Sequence, residues 1–288
     1  MNTENIASEQ LVLACIDGSS VSEAVCDYSS WIALKVKAPL TLLHSIEHQH
    51  TPDIADYSGA IGLGSRDELL KELTELEQSR SRLLIEKGQL MLAAAKQRVK
   101  LDGVAAPEVC QRHGSLVESL IDLEQKTRVL VLGVRGESHQ QQHEGIGRKL
   151  ETVIRSLHKP ILVVNKAFTE PKRIMLAYDG GAACKKALAL MTASSMFKDT
   201  PCHIVHAGCE GEALLDEARG ELEASGMACV TAQVDGKIEE ALARYQIEND
   251  IDLMLMGAFS HSRIRDFLLG SFTAKMLAIT SRPLLLLR

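Results

Sequence analysis

The chain writes one strand-and-helix pattern twice, and this repeat limits its fold more than any other feature. Residues 11–19 read L-V-L-A-C-I-D-G-S, an apolar run closed by aspartate and glycine and followed by a helical stretch from Val21 to Lys37. Residues 174–181 read I-M-L-A-Y-D-G-G and lead into A-A-C-K-K-A-L-A-L-M, so that Asp17 and Asp179 stand 162 positions apart. The next apolar runs, T-L-L-H at 41–44 and H-I-V-H at 203–206, both end in histidine at the same spacing of 162. Beyond them V-C-Q-R-H-G (109–114) aligns with V-T-A-Q-V-D-G (230–236) at a glycine spacing of 122. V-L-V-L-G (129–133) and L-M-L-M-G (253–257) are 124 apart, and P-I-L-V-V (160–164) and P-L-L-L-L (283–287) are 123 apart. The drop from 162 to 122 places 40 extra residues in the first copy between His44 and Cys110, as a loop at 47–65 and a helix predicted from about Arg66 to Val99.

Each copy therefore reads as five strands alternating with four helices. Short apolar strands separated by helices pair in parallel, because a parallel crossover needs a connection long enough to hold a helix. A chain of 288 residues suits two cores better than one. The predicted fold class is α/β, with two tandem doubly wound domains, each a five-stranded parallel sheet with helices on both faces. Their expected limits are residues 1–166 and 172–288, joined by the linker K-A-F-T-E-P-K at 166–172. The last strands, 160–164 and 283–287, are almost wholly apolar, and such edges invite aggregation unless covered. They are expected to bury each other, giving an intrachain pseudo-dimer; a homodimer of the whole chain is a further possibility the sequence leaves open.

Composition removes several function classes. A net charge of −6 with no block of lysines or arginines gives no field for collecting nucleic-acid phosphates. No apolar run approaches the roughly 20 residues that cross a bilayer, so no membrane partner is expected. The polar opening MNTENIASEQ has neither the basic nor the apolar region of a secretory signal. Seven cysteines without C-x-x-C spacing read as reduced thiols, and a cytoplasmic location follows. His48, His50, His139 and His143 have no cysteine-rich companions, and no metal site is assigned to them.

In an open parallel sheet, ligands bind beyond the carboxyl ends of the strands. In the second copy, Asp179 ends the first strand, and M-G-A-F-S-H-S-R-I-R-D-F-L-L-G-S-F-T (256–273) runs from the fourth strand into the last helix. Gly257 is followed by two residues and Ser260, then by nine residues and Gly270-Ser271. With the preceding aspartate, this spacing resembles the motif of ATP-binding universal stress proteins, which have glycine where this chain has Ser260. The resemblance extends over both copies as a tandem member and implies a Rossmann-like, adenine-nucleotide-binding fold. It implies ATP as ligand, with Mg or Mn as companion cation.

The chemistry agrees with that motif. Glycine at 257 and 270 permits close backbone approach, and the free amides of Gly270, Ser271, Phe272 and Thr273 at a helix start favour an anion. Asp179 can accept from an adenine amino group or a ribose hydroxyl, and Gly180-Gly181 leave room for a flat base. Ala177, Tyr178, Ala207 and Met256 belong to the same expected nucleotide site, and Arg263 is a candidate phosphate contact. The bland alternative for Gly270-Ser271 or for Asp179 alone is a helix cap.

The first copy keeps Asp17, Ser19, Gly133 and Gly136, but ten residues separate Gly136 from Gly147, and Arg148 stands where Ser or Thr is expected. It reads as a degenerate site. The chain lacks G-x-x-x-x-G-K-[ST] and G-x-S-x-G, and no catalytic base or nucleophile can be named. The expected function is stress-response nucleotide binding, chiefly in the second copy, with any hydrolysis slow. The alternatives are a scaffold or signalling protein with both sites vestigial, or a slow ATPase or autophosphorylating switch using Ser271 or Thr273.

Overall fold

The computed structural model describes residues 10–47, 63–134, 148–208, 211–257 and 271–287. Among them the first copy contains strands β1 (Leu11–Cys15), β2 (Leu40–Ile46), β3 (Glu108–His113), β4 (Thr127–Gly133) and β5 (Ile161–Val164). Helices α1 (Ser22–Val36), α2 (Leu63–Leu101), α3 (Leu116–Leu123) and α4 (Arg148–Ser156) connect them in turn. The second copy repeats the order with β6 (Ile174–Ala177), β7 (Cys202–Ala207), β8 (Cys229–Val234), β9 (Leu253–Gly257) and β10 (Leu284–Leu287). Its helices are α5 (Ala182–Ala193), α6 (Glu212–Ala224), α7 (Ile238–Glu248) and α8 (Ser271–Ile279).

The strands of the described residues form one sheet of ten, in the order β3-β2-β1-β4-β5-β10-β9-β6-β7-β8. Every neighbouring pair is parallel except β5 and β10, which run antiparallel with Leu162 opposite Leu285. The two terminal strands thus cover each other, as their composition requires. All eight of their residues are buried. Helices lie on both faces, and each of the two apolar clusters draws residues from both copies, so the core runs unbroken through the β5–β10 junction. The parallel order reverses between β1 and β4, and again between β6 and β9, so each copy has its own switch point at the carboxyl edge.

Helix α2, of 39 residues against 13 in its counterpart α6, carries part of the extra length of the first copy. It extends by a few residues beyond both ends of the predicted helix. Its C-terminal half buries Leu92, Ala95 and Val99, while its described N-terminal half is mostly exposed. Arg98 fixes it to α1: its Nε and Nη2 reach the two carboxylate oxygens of Asp27 at 2.5 and 2.9 Å, and its Nη1 reaches Glu23 at 2.9 Å. The linker packs on the first copy, with Phe168 edge-on to Tyr28 at a ring-centroid distance of 4.8 Å. No helix of the described residues is long and apolar enough to cross a membrane.

Candidate functional site

At the carboxyl edge of the second copy, the end of β6 carries Ala177, Tyr178 and Asp179 beside His206 and Ala207 at the end of β7. Met256 of β9 and Phe272 of α8 close the same cleft, with Ile238 and Leu242 of α7 forming its outer wall. Six of the residues expected at the nucleotide site therefore meet in one place. Gly257 ends β9 next to them and Ser271 opens α8. Thr273 is instead buried, at 1% exposure, and does not line the cleft. Ser260, Arg263 and Gly270 lie outside the described residues.

Asp179 turns one carboxylate oxygen back to the amide of Gly181, 2.8 Å away. Gly180 has φ +72°, a conformation that side chains resist, and the space over it is not open: a Cβ there would lie 2.9 Å from a methyl of Leu214. The room for a flat base expected at Gly180 is filled by α6. The cleft is only about 30 Å³. Burial pushes the Tyr178 hydroxyl up to about 12, aided by Glu217 and Glu221, so it stays protonated at neutral pH.

The first copy builds the corresponding cavity from corresponding positions and makes it ten times larger, about 310 Å³. Asp17 follows β1, Gly133 and Val134 end β4, and Leu116 and Leu150 occupy the places of Ile238 and Thr273. Two differences account for the volume. Lys149 stands where the second copy has Phe272, and α2 adds a wall of Arg80, Leu84, Lys87 and Met91 that the shorter α6 lacks. Asp17 accepts from the amide of Ser19 and the hydroxyl of Ser22, both at 2.9 Å. Glu47 pairs with Lys149 at 2.6 Å and accepts from the amide of Leu116 at 3.3 Å. Ser19 is itself buried outside the cavity lining. Gly136 and Gly147 lie outside the described residues, and Arg148 is described only as the first residue of α4.

The two histidines, read from sequence only as register marks, hold equivalent posts. His44 Nδ1 meets the carbonyl of Ile16 at 2.7 Å, and His206 Nδ1 meets that of Tyr178 at 2.9 Å. A carbonyl only accepts, so Nδ1 carries the proton in both, and the ring spans the crevice between the first two strands. A glycine lies against each ring: a Cβ at Gly88 would stand 2.6 Å from His44 Cδ2, and one at Gly211 would overlap the ring of His206. Nothing in the sequence pattern singles out these two glycines; their approach to the histidine rings is seen only in three dimensions.

No group of three or more His, Cys, Asp or Glu among the described residues could hold a metal ion. Cys15, the thiol that lines the first cavity, is raised to about 12 by burial and, secondarily, by Asp17. It remains protonated and is a poor nucleophile.

Comparison with known proteins places this geometry. Residues 10–165 and 206–288 match the model of the universal stress protein family. Universal stress protein Slr1230 of Synechocystis sp. (strain ATCC 27184 / PCC 6803 / Kazusa) is 38% identical over 284 residues, covering 96% of this chain and 99% of that protein. A universal stress protein from Archaeoglobus fulgidus DSM 4304 superposes with a TM-score of 0.74 at 20% identity, over 97% of this chain and 98% of that one. A putative universal stress protein from Pseudomonas aeruginosa UCBPP-PA14 does so with a TM-score of 0.62 at 12% identity, over 98% and 94%. Both structures share the two-copy fold, and the sequence match runs through both copies: the chain belongs to the universal stress protein family.

Proposed function

We propose that the protein binds an adenine nucleotide in the second copy and acts in the stress response by binding rather than by turnover. The functional units we infer are residues 1–166 and 172–288. The reading is supported by one convergence: Asp179 shares a cleft with Met256, the residue before Gly257, and with Phe272, the residue after Ser271, and the spacing of these positions in the sequence resembles the motif of ATP-binding universal stress proteins. Apolar walls from Met256, Phe272 and Leu242 suit a heteroaromatic ring, Asp179 suits its amino group or a ribose hydroxyl, and the first-turn amides of α8 suit phosphate. The described cleft has room for about two waters, so entry of a base is coupled to movement of Phe272. ATP with Mg or Mn is the ligand we favour, Gly270, Ser260 and Arg263 completing the phosphate end.

The six described cysteines are free thiols, in keeping with a reducing cytoplasm. Mass spectrometry of the small molecules released when the purified protein is denatured tests the reading. An adenine nucleotide near one per chain is expected, with phosphate release from added ATP no faster than in Gly270→Val. A preparation that retains none and binds none on addition would leave the scaffold alternative.

A further inference from the structure

We propose that the outward face of helix α2 is an interface for a second copy of this chain, two α2 helices pairing face to face as a short coiled coil. The observation that carries it is a row of leucines. Leu76, Leu83 and Leu90 follow one another at intervals of seven residues, and each leaves 66% of its surface to solvent. Leu101, 82% exposed, falls in line with them, because the eleven steps from Leu90 complete three helical turns to within about 20°.

The row is not the margin of the core. Among residues 71–101 the buried positions are Gly88, Leu92, Ala95 and Val99. Leu90 stands two residues from both Gly88 and Leu92, roughly 160–200° around the axis from the buried face, and Leu83 and Leu76 continue along the same outer side. Single exposed apolar residues are ordinary on a protein surface, whereas a contiguous apolar row marks an interface. Four of the eleven large apolar side chains exposed among the described residues lie on this one helix, in one line.

Period, charge and area identify the occupant. A strict seven-residue repeat drifts by about 20° per repeat on a straight helix, and the drift is taken up when a second helix with the same repeat winds around it. A second copy of the chain supplies that repeat. The counterpart helix α6 has no large apolar side chain exposed, so each chain offers one such face and the assembly closes at two copies. The exposed residues bordering the row carry both signs, Glu72, Glu75 and Glu86 beside Arg82 and Lys100. A border of mixed sign tolerates its own copy, and it lacks the basic face with which a surface helix holds an anionic membrane. A helix of 39 residues is about 58 Å long. Two of them touching along a strip about 10 Å wide would cover roughly 600 Å² on each chain, about 1,200 Å² in all, the lower bound of a stable interface. The dimer is therefore reversible.

The oligomeric state of the full chain is the test. Sedimentation velocity of the parent across about 1–200 μM should show monomer giving way to dimer, with a dissociation constant in the micromolar range. The triple variant Leu76→Ser/Leu83→Ser/Leu90→Ser should raise that constant by about a hundredfold or more. All three side chains are exposed, so this variant should keep the circular dichroism of the parent. A second arm leaves the row nearly intact: in the Leu83→Cys variant a bismaleimide should join chain to chain more than in the parent and more than in Ile247→Cys, a comparably exposed position on α7. A monomer at every concentration, a dimer untouched by the triple variant, or cross-linking of Leu83→Cys no greater than that of Ile247→Cys would each overturn the proposal. So would a monomeric parent whose binding to phosphatidylglycerol vesicles is lost in the triple variant, which would give the row to a membrane.

Discussion

The glycines beneath the two histidines carry more of the site than their size suggests. At Gly211 an added methyl meets the His206 ring, which its bond to the Tyr178 carbonyl holds in place. Overpacking of this kind costs about 1–3 kcal/mol. Gly211→Ala should lower stability by that amount in denaturant unfolding, while Gly220→Ala on the same helix, where nothing lies within 4 Å, should be neutral or slightly stabilising. His203 makes a different prediction. Burial, and secondarily Arg173, holds its pKa below the ordinary 6.5, and its Nδ1 meets the Tyr245 hydroxyl at 2.9 Å. The unfolded chain therefore takes up this proton first as pH falls, so stability is complete above about 6.5 and declines as pH drops through the lowered value. His203→Gln should flatten the pH dependence of the unfolding midpoint in that window. An unchanged slope would remove His203 as its source.

At the scale of elements, the strands and helices were legible because each β-run is a short apolar block and each helix supplies the crossover that parallel pairing needs. The double register of Asp17 with Asp179 and His44 with His206 gave the two switch points. The insertion was legible as length but not as a wall, since nothing in the spacing says that Arg80, Leu84, Lys87 and Met91 turn toward the carboxyl edge. For the same reason the sequence ranked the second copy as the better site, whereas the larger cavity lies in the first. The filled space over Gly180 was also hidden, because Leu214 reaches it from a helix 30 or more positions along the chain. The position of α2 depends on Arg98, whose fork on Asp27 joins it to α1. Arg98→Leu leaves a half-buried carboxylate without its partner and should cost about 1–2 kcal/mol. Double-mutant cycles with Asp27→Asn should recover most of the loss as coupling.

For the whole molecule, the β5–β10 pair joins two sheets into one and carries both core layers across the junction. Asn165 reinforces it, donating from Nδ2 to the carbonyls of Thr280 and Arg282 at 2.9 and 3.0 Å. Expressed separately, residues 1–166 and 172–288 should self-associate or aggregate through the uncovered strand. Soluble monomers of each half by light scattering would contradict that. The central claim is that two copies of one fold have acquired unlike sites, with the nucleotide in the second. Calorimetric titration of ATP into the parent protein, Gly270→Val, Gly147→Val and Asp179→Ala tests it most directly. One nucleotide per chain is predicted, lost in Gly270→Val, weakened about tenfold or more in Asp179→Ala, and unaltered in Gly147→Val. Equal affinity of the parent and Gly270→Val, or a larger loss at Gly147, would contradict the account.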